Sequence, residues 1–161
     1  VRLVTFLFFA RRYSEALEQT KRVFELDSMF FQAHSERSRV LMKLGQCDEA
    51  LKDVPLSGEQ GASQLVGTRG QVYAECGQRQ KAIDELHRLE AQAQSGRIVS
   101  HYGFATIHAA LGDRKRALDE LEAAFNDRAW AMFMIKVDPV FENLRNEPRF
   151  VQLAERIGLS P

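Results

Sequence analysis

The chain has 161 residues, about one domain's worth, and 22 Lys+Arg balance 22 Asp+Glu, so its formal net charge is zero. Apolar residues make up 45% and charged residues 27%, a globular composition that excludes a disordered tail. The basic residues, 16 Arg and 6 Lys, are spread along the chain rather than gathered, so no direct nucleic-acid contact is expected.

The chain opens on Val1-Arg2-Leu3-Val4-Thr5-Phe6-Leu7-Phe8-Phe9-Ala10. This run is about half the ~20 residues that a membrane span needs, and Arg2 interrupts it. No membrane contact is expected from it. As a helix it is apolar around most of its circumference, which calls for burial on more than one side. Phe6, Phe8 and Phe9 are therefore candidates for a self-association contact. The absence of an initial Met suggests a piece of a longer protein. No export signal is visible, so the expected compartment is the cytoplasm.

Internal repeats organise most of the chain. Ala16, Ala50, Ala82 and Ala117 are spaced by 34, 32 and 35 residues. Each closes a similar phrase: Arg11-Arg-Tyr-Ser-Glu-Ala16, Gly45-Gln-Cys-Asp-Glu-Ala50, Gly77-Gln-Arg-Gln-Lys-Ala82 and Gly112-Asp-Arg-Lys-Arg-Ala117. Glycine ends one helix where the backbone turns left-handed. The polar residues make the turn and start the next helix. Alanine sits where two helices cross closely. Apolar residues recur at helical spacing on both sides of each turn, as in Val40, Leu41 and Leu44 or Leu118, Leu121 and Phe125. Each unit reads as a helical hairpin. Two features depart from the pattern. The first unit carries Arg11 where the others have Gly. Pro55 falls where a helix should continue, so that helix is expected to stop near Val54, with residues 55–62 as a loop.

Residues 129–161 leave the repeat. Asp138-Pro139 and Glu147-Pro148 are helix starts and Gly158 is a stop. Short helices are predicted near 129–134 and 139–145, with a last one over 148–157. Trp130, Phe133, Val137, Phe141, Leu144, Phe150, Leu153 and Ile157 are expected to cover the end of the stack.

Few residues suggest chemistry. Cys47 and Cys76 lack the clustered spacing of a zinc site. They read as two small buried residues, with a single bridge as the alternative. His101 and His108 are two helical turns apart, too far for one metal, and His34 and His87 have no evident partners. No phosphate loop, nucleophile elbow or His-Glu-x-x-His motif occurs. The chain is not expected to be an enzyme, and no cofactor, metal or catalytic residue is assigned.

The four phrases, with small residues twelve before the anchor (Ser38, Gly70, Ala105) and bulky ones nine before (Leu7, Leu41, Tyr73, His108), resemble the tetratricopeptide repeat (TPR) family. The resemblance covers residues 1–128. It implies an all-α fold: a right-handed α-solenoid of about four TPR hairpins (1–30, 31–62, 63–96 and 97–128) with a C-terminal helical cap at 129–161. The string Val-Asp-Pro-Val-Phe-Glu-Asn-Leu-Arg-Asn-Glu-Pro-Arg-Phe is similar to the closing segment of TPR regions in bacterial multidomain regulators of the nucleotide-cyclase or winged-helix type.

In such arrays the first helix of each pair lines a concave groove that holds a peptide. Carried over residue by residue, the groove positions are Thr5 and Phe8; Gln32, Ser35, Arg39, Met42 and Lys43; Gln64, Gln71, Ala74 and Glu75; and Tyr102, Thr106 and Ala109. A Lys/Asn clamp for a terminal carboxylate is absent. The resemblance thus implies a protein–protein interaction module, part of a larger signalling or transcription-regulatory protein, binding a protein or peptide segment. The alternative is a self-association module that sets its parent's oligomeric state, as a homodimer, through the opening helix. Were the parent a membrane-anchored regulator, the repeats would be periplasmic.

Overall fold

The computed structural model describes residues 1–57 and 67–159, and among these there are helices, turns and short irregular connections but no strand. Four pairs of helices follow one another: α1 (Arg2–Phe9) with α2 (Tyr13–Leu26), α3 (Phe31–Lys43) with α4 (Cys47–Asp53), α5 (Thr68–Glu75) with α6 (Arg79–Gln94), and α7 (His101–Ala110) with α8 (Arg114–Asn126). Short 3-10 helices at Val54–Ser57, Trp130–Met134 and Pro139–Leu144 and a last helix, α9 (Pro148–Arg156), complete them.

The pairs share one turn. Three residues separate the helices each time: 10–12, 44–46, 76–78 and 111–113. The left-handed residue is Gly45 (φ 74°), Gly77 (φ 76°) or Gly112 (φ 82°). Its N–H and the next one donate back to the closing turn of the first helix. In the second pair Gly45 N–H reaches Met42 O at 3.0 Å and Gln46 N–H reaches Leu41 O at 2.9 Å. These bonds satisfy carbonyls that the helix end leaves free. Arg11 takes the same conformation (φ 59°), and the same two bonds form to Phe8 O and Leu7 O. The missing glycine therefore leaves the turn unchanged.

The anchor alanines Ala16, Ala50, Ala82 and Ala117 are all 0% exposed. First helices also pack on one another, α3 on α5 and α5 on α7. The approach is closest at Gly70, where a Cβ would stand 2.5 Å from Ile107 Cδ1. A small residue there is a packing requirement. Helix α4 ends at Asp53 and the chain tightens into the 3-10 turn containing Pro55. Of the predicted loop 55–62, residues 58–62 lie outside the described residues.

The three predicted C-terminal helices are present at 130–134, 139–144 and 148–156. Phe141, Leu144, Phe150 and Leu153 join Ala117, Leu118, Leu121 and Ala124 of α8 in the largest apolar cluster. The expectation that Trp130, Phe133 and Val137 cover the stack is corrected. They are exposed, at 48%, 50% and 44%. The segment instead runs across the row of first helices. Tyr102 Oη of α7 donates to Asp138 at 2.9 Å, and Arg11, in the turn after α1, pairs with Glu142 at 3.1 Å.

Two other readings change. Cys47 and Cys76 are joined by a disulfide, Cα to Cα 5.4 Å, rather than lying as separate thiols. Each sits at a hairpin turn, and stacking brings consecutive turns together. His34, without an evident partner in the sequence, is buried with Nδ1 2.8 Å from Asp53 and Nε2 3.0 Å from Ser28 O. Arg37 donates to the same Asp53 carboxylate through Nε and Nη2, and its guanidinium lies 4.3 Å from the Phe24 ring centre. This knot ties α3 to the ends of α2 and α4.

Candidate functional site

A cavity of about 330 Å³ opens where the first helices meet the C-terminal segment. That volume is at the small end of ligand pockets. Its walls come from all four first helices: Thr5, Phe6 and Phe9 from α1, Glu36 and Arg39 from α3, Thr68 and Gln71 from α5, Tyr102 and Thr106 from α7. The C-terminal segment supplies Trp130, Phe133, Met134 and Asp138.

The polar residues are held deep. Glu36, Arg39, Gln71, Thr106 and Asp138 are 3%, 6%, 1%, 6% and 1% exposed. Asp138 owes its place to the turn that Pro139 starts. One carboxylate oxygen accepts from Val140 N–H at 3.1 Å and caps the 3-10 helix; the other accepts from Tyr102 Oη. Burial first, and then the Asp138 carboxylate, push the Tyr102 phenol well above its ordinary value, so it stays a donor.

Arg39 occupies the centre. Its guanidinium stacks 4.1 Å above the Phe8 ring centre and 5.5 Å from that of Phe9. Glu36 lies 3.7 Å and Asp138 3.9 Å from its nitrogens, attractive distances too long for hydrogen bonds. Glu36 Oε1 accepts from Thr5 Oγ1 at 2.9 Å. Glu36 Oε2 and Arg39 Nε are buried with no hydrogen-bond partner among the described residues. Unpaired buried polar atoms are costly, and a ligand or water would relieve them.

The mouth is aromatic. Phe6 is 65% exposed, Trp130 and Phe133 are half-exposed, and the last two rings stand 5.5 Å apart. Arg2 also lies at the mouth.

Of the groove positions expected from sequence, Thr5, Arg39, Gln71, Tyr102 and Thr106 line this cavity. Others do not. Met42 packs in the core with Leu41, Ala50, Val54 and Val72. Ser35 is buried and its carbonyl accepts from Ser38 Oγ. Lys43 pairs with Glu75, which also accepts from Gln71 Nε2 at 2.9 Å. Gln32 is half-buried, its Oε1 without a partner among the described residues. Gln64 lies outside the described residues. Phe8 is fully buried, in a cluster with Val4, Leu7, Ala16 and Val40, and Phe9 is half-buried, so Phe6 alone of the three phenylalanines presents an open face. Sequence reasoning missed Glu36, Thr68, Asp138 and the aromatic mouth from the C-terminal segment. The helical spacing of Glu36 with Arg39 and Gln32 on one helix was an available signal.

Among the described residues no group of three or more His, Cys, Asp or Glu is placed to hold a metal, and no helix is long and apolar enough to cross a membrane. Comparison with family models, curated proteins and solved structures found no match to the chain.

Proposed function

We propose that the chain is an interaction module of the TPR kind: four hairpins stacked as a right-handed solenoid whose first helices face a groove that takes a segment of a partner protein. The observation that carries this reading is the cavity itself. It is built from all four first helices, and among the described residues it leaves a buried acceptor, Glu36 Oε2, 3.7 Å from Arg39 Nη1, and a buried donor, Arg39 Nε, without hydrogen-bond partners. A core formed only for stability favours pairing such atoms or replacing them with apolar ones. The half-open rings at the mouth suit the aromatic anchors that dominate binding energy at interfaces. The C-terminal segment, reaching across the first helices, leaves room for a short stretch or single side chain rather than a long peptide. In this reading the module serves a larger signalling or transcription-regulatory protein.

The test is selection of displayed peptides on the purified chain, repeated with Phe6→Glu and Phe133→Glu. Both residues are exposed, so the fold tolerates the changes. Peptides lost to both variants support the groove. Peptides retained by both place binding elsewhere.

Self-association is the second reading, favoured by Leu3 at 55% exposure beside Phe6 on α1. Light scattering over a concentration series tests it, with Phe6→Ser dissociating any dimer. The disulfide adds a proposal about compartment. Such bridges persist in oxidising surroundings, which supports the periplasmic alternative over the cytoplasm.

A further inference from the structure

We infer that the cavity reads a positively charged side chain, Lys or Arg, on the partner segment. This deepens the groove reading above and rests on it. The buried carboxylates of the floor are the first reason. Glu36 and Asp138, 3% and 1% exposed, flank the Arg39 guanidinium at 3.7 Å and 3.9 Å, too far for hydrogen bonds. Neither neighbouring cation takes them up: Arg145 donates to the Asp138 carbonyl oxygen, and Arg2 lies at the exposed mouth, where solvent screens it.

The free valence is the second reason. Glu36 Oε1 already accepts from Thr5, whereas Oε2 is buried without a hydrogen-bond partner among the described residues. It needs a donor, and a charged donor gives the stronger bond. The third reason is the mouth. Phe6, Trp130 and Phe133 line the entry with aromatic rings. Such rings attract ammonium and guanidinium groups and also cover the apolar stem that carries them. The site already holds one cation this way, Arg39 over Phe8 at 4.1 Å. An anionic group would find one buried donor without a hydrogen-bond partner among the described residues, Arg39 Nε, but would stand against the buried carboxylates of Glu36 and Asp138.

Trp130 is the chain's single tryptophan and stands at the mouth, so its fluorescence reports occupancy. The intact chain is titrated with four acetylated and amidated pentapeptides: Ala-Ala-Arg-Ala-Ala and the same peptide with citrulline, norleucine or glutamate at the centre. Agmatine is titrated alongside. The arginine peptide is expected to bind at least tenfold more tightly than the citrulline and norleucine peptides and tenfold more tightly than agmatine. Glu36→Gln is expected to remove most of the preference for arginine over citrulline. Equal response to all four peptides, or preference for glutamate, overturns the cationic anchor and leaves the groove reading standing. Agmatine binding as well as the peptide overturns the partner segment as the source. Silence from every probe overturns the inference, and the peptide selection above decides the groove reading separately. Should Glu36→Gln unfold, the comparison of peptides on the unsubstituted chain still decides.

Discussion

At the residue scale, Asp53 shows how a buried charge holds two hairpin elements together. It is 1% exposed and satisfied by His34 and by both arms of Arg37. Removing it leaves the buried His34 imidazole without its carboxylate and the one-third exposed Arg37 guanidinium without its partner. Asp53→Ala is expected to cost about 3–5 kcal/mol in urea unfolding, against less than half of that for a surface carboxylate such as Glu18. Near-equal effects would mean that the knot is not a unit. Phe8→Ala is expected to cost about 3–5 kcal/mol as well, because Phe8 is a core ring rather than a contact surface. Gly70→Val would press on Ile107, which is fully buried and has no room to retreat. It is expected to cost at least about 2 kcal/mol. Arg11 offers the opposite sign. Its left-handed backbone is strained for a residue with a side chain, so Arg11→Gly relieves strain while losing the exposed pair with Glu142. Glu142→Gln loses the pair alone. The difference in melting temperature between the two variants isolates the turn, and Arg11→Gly should melt higher.

At the element scale, the hairpins were legible because one short phrase encodes a complete device. Glycine, polar turn and alanine map onto left-handed residue, carbonyl-satisfying turn and helix crossing, and each is found where the phrase stands. Pro55 likewise ended α4 where a lost donor requires. The C-terminal helices were legible from their Pro starts, but their direction was not. Periodicity says which residues seek burial and leaves open what they pack on, so it does not reveal that Trp130 and Phe133 line the cavity mouth. Asp138 illustrates the limit. Its pairing with Pro139 announces a cap, whereas its contacts with Tyr102 and Arg39 arise only when segments 36 and 99 residues apart meet. The disulfide stands in the sequence only as an alternative, for a related reason. A separation of 29 residues says little by itself, but both cysteines lie within six residues before an anchor alanine, next to turns that stacking makes neighbours. Closing that loop is expected to contribute about 3–4 kcal/mol. Reduction should lower the unfolding midpoint accordingly and leave the circular dichroism of the folded state intact. Loss of helix on reduction at 25 °C would show that the bridge is needed to form the second and third pairs.

At the scale of the whole molecule, acidification links many sites. Burial, the largest influence on His108, lowers its imidazole from the ordinary value of 6.5 against the pull of Asp113 and Glu120. The unfolded chain therefore takes up that proton first, and stability present above pH ~6.5 falls as the pH drops below it. The exposed pairs act later. A hydrogen bond from Arg149 lowers Asp119, and one from Arg11 lowers Glu142, so their contributions hold above the ordinary carboxylate range and fade through it. Urea midpoints measured from pH 8 to pH 5 should decline, and His108→Gln should flatten the curve. A decline identical in the variant would assign it to other groups.

The proposed site for a partner segment lies along the first helices where the C-terminal segment closes over them. Backbone amide shifts during titration of the nitrogen-15-labelled chain with a selected peptide locate it. Shifts are expected at Thr5, Glu36, Arg39, Gln71, Thr106 and Asp138, with Glu18, Asp84 and Lys115 on the second helices undisturbed. Shifts concentrated on the second helices, with the cavity silent, would contradict it.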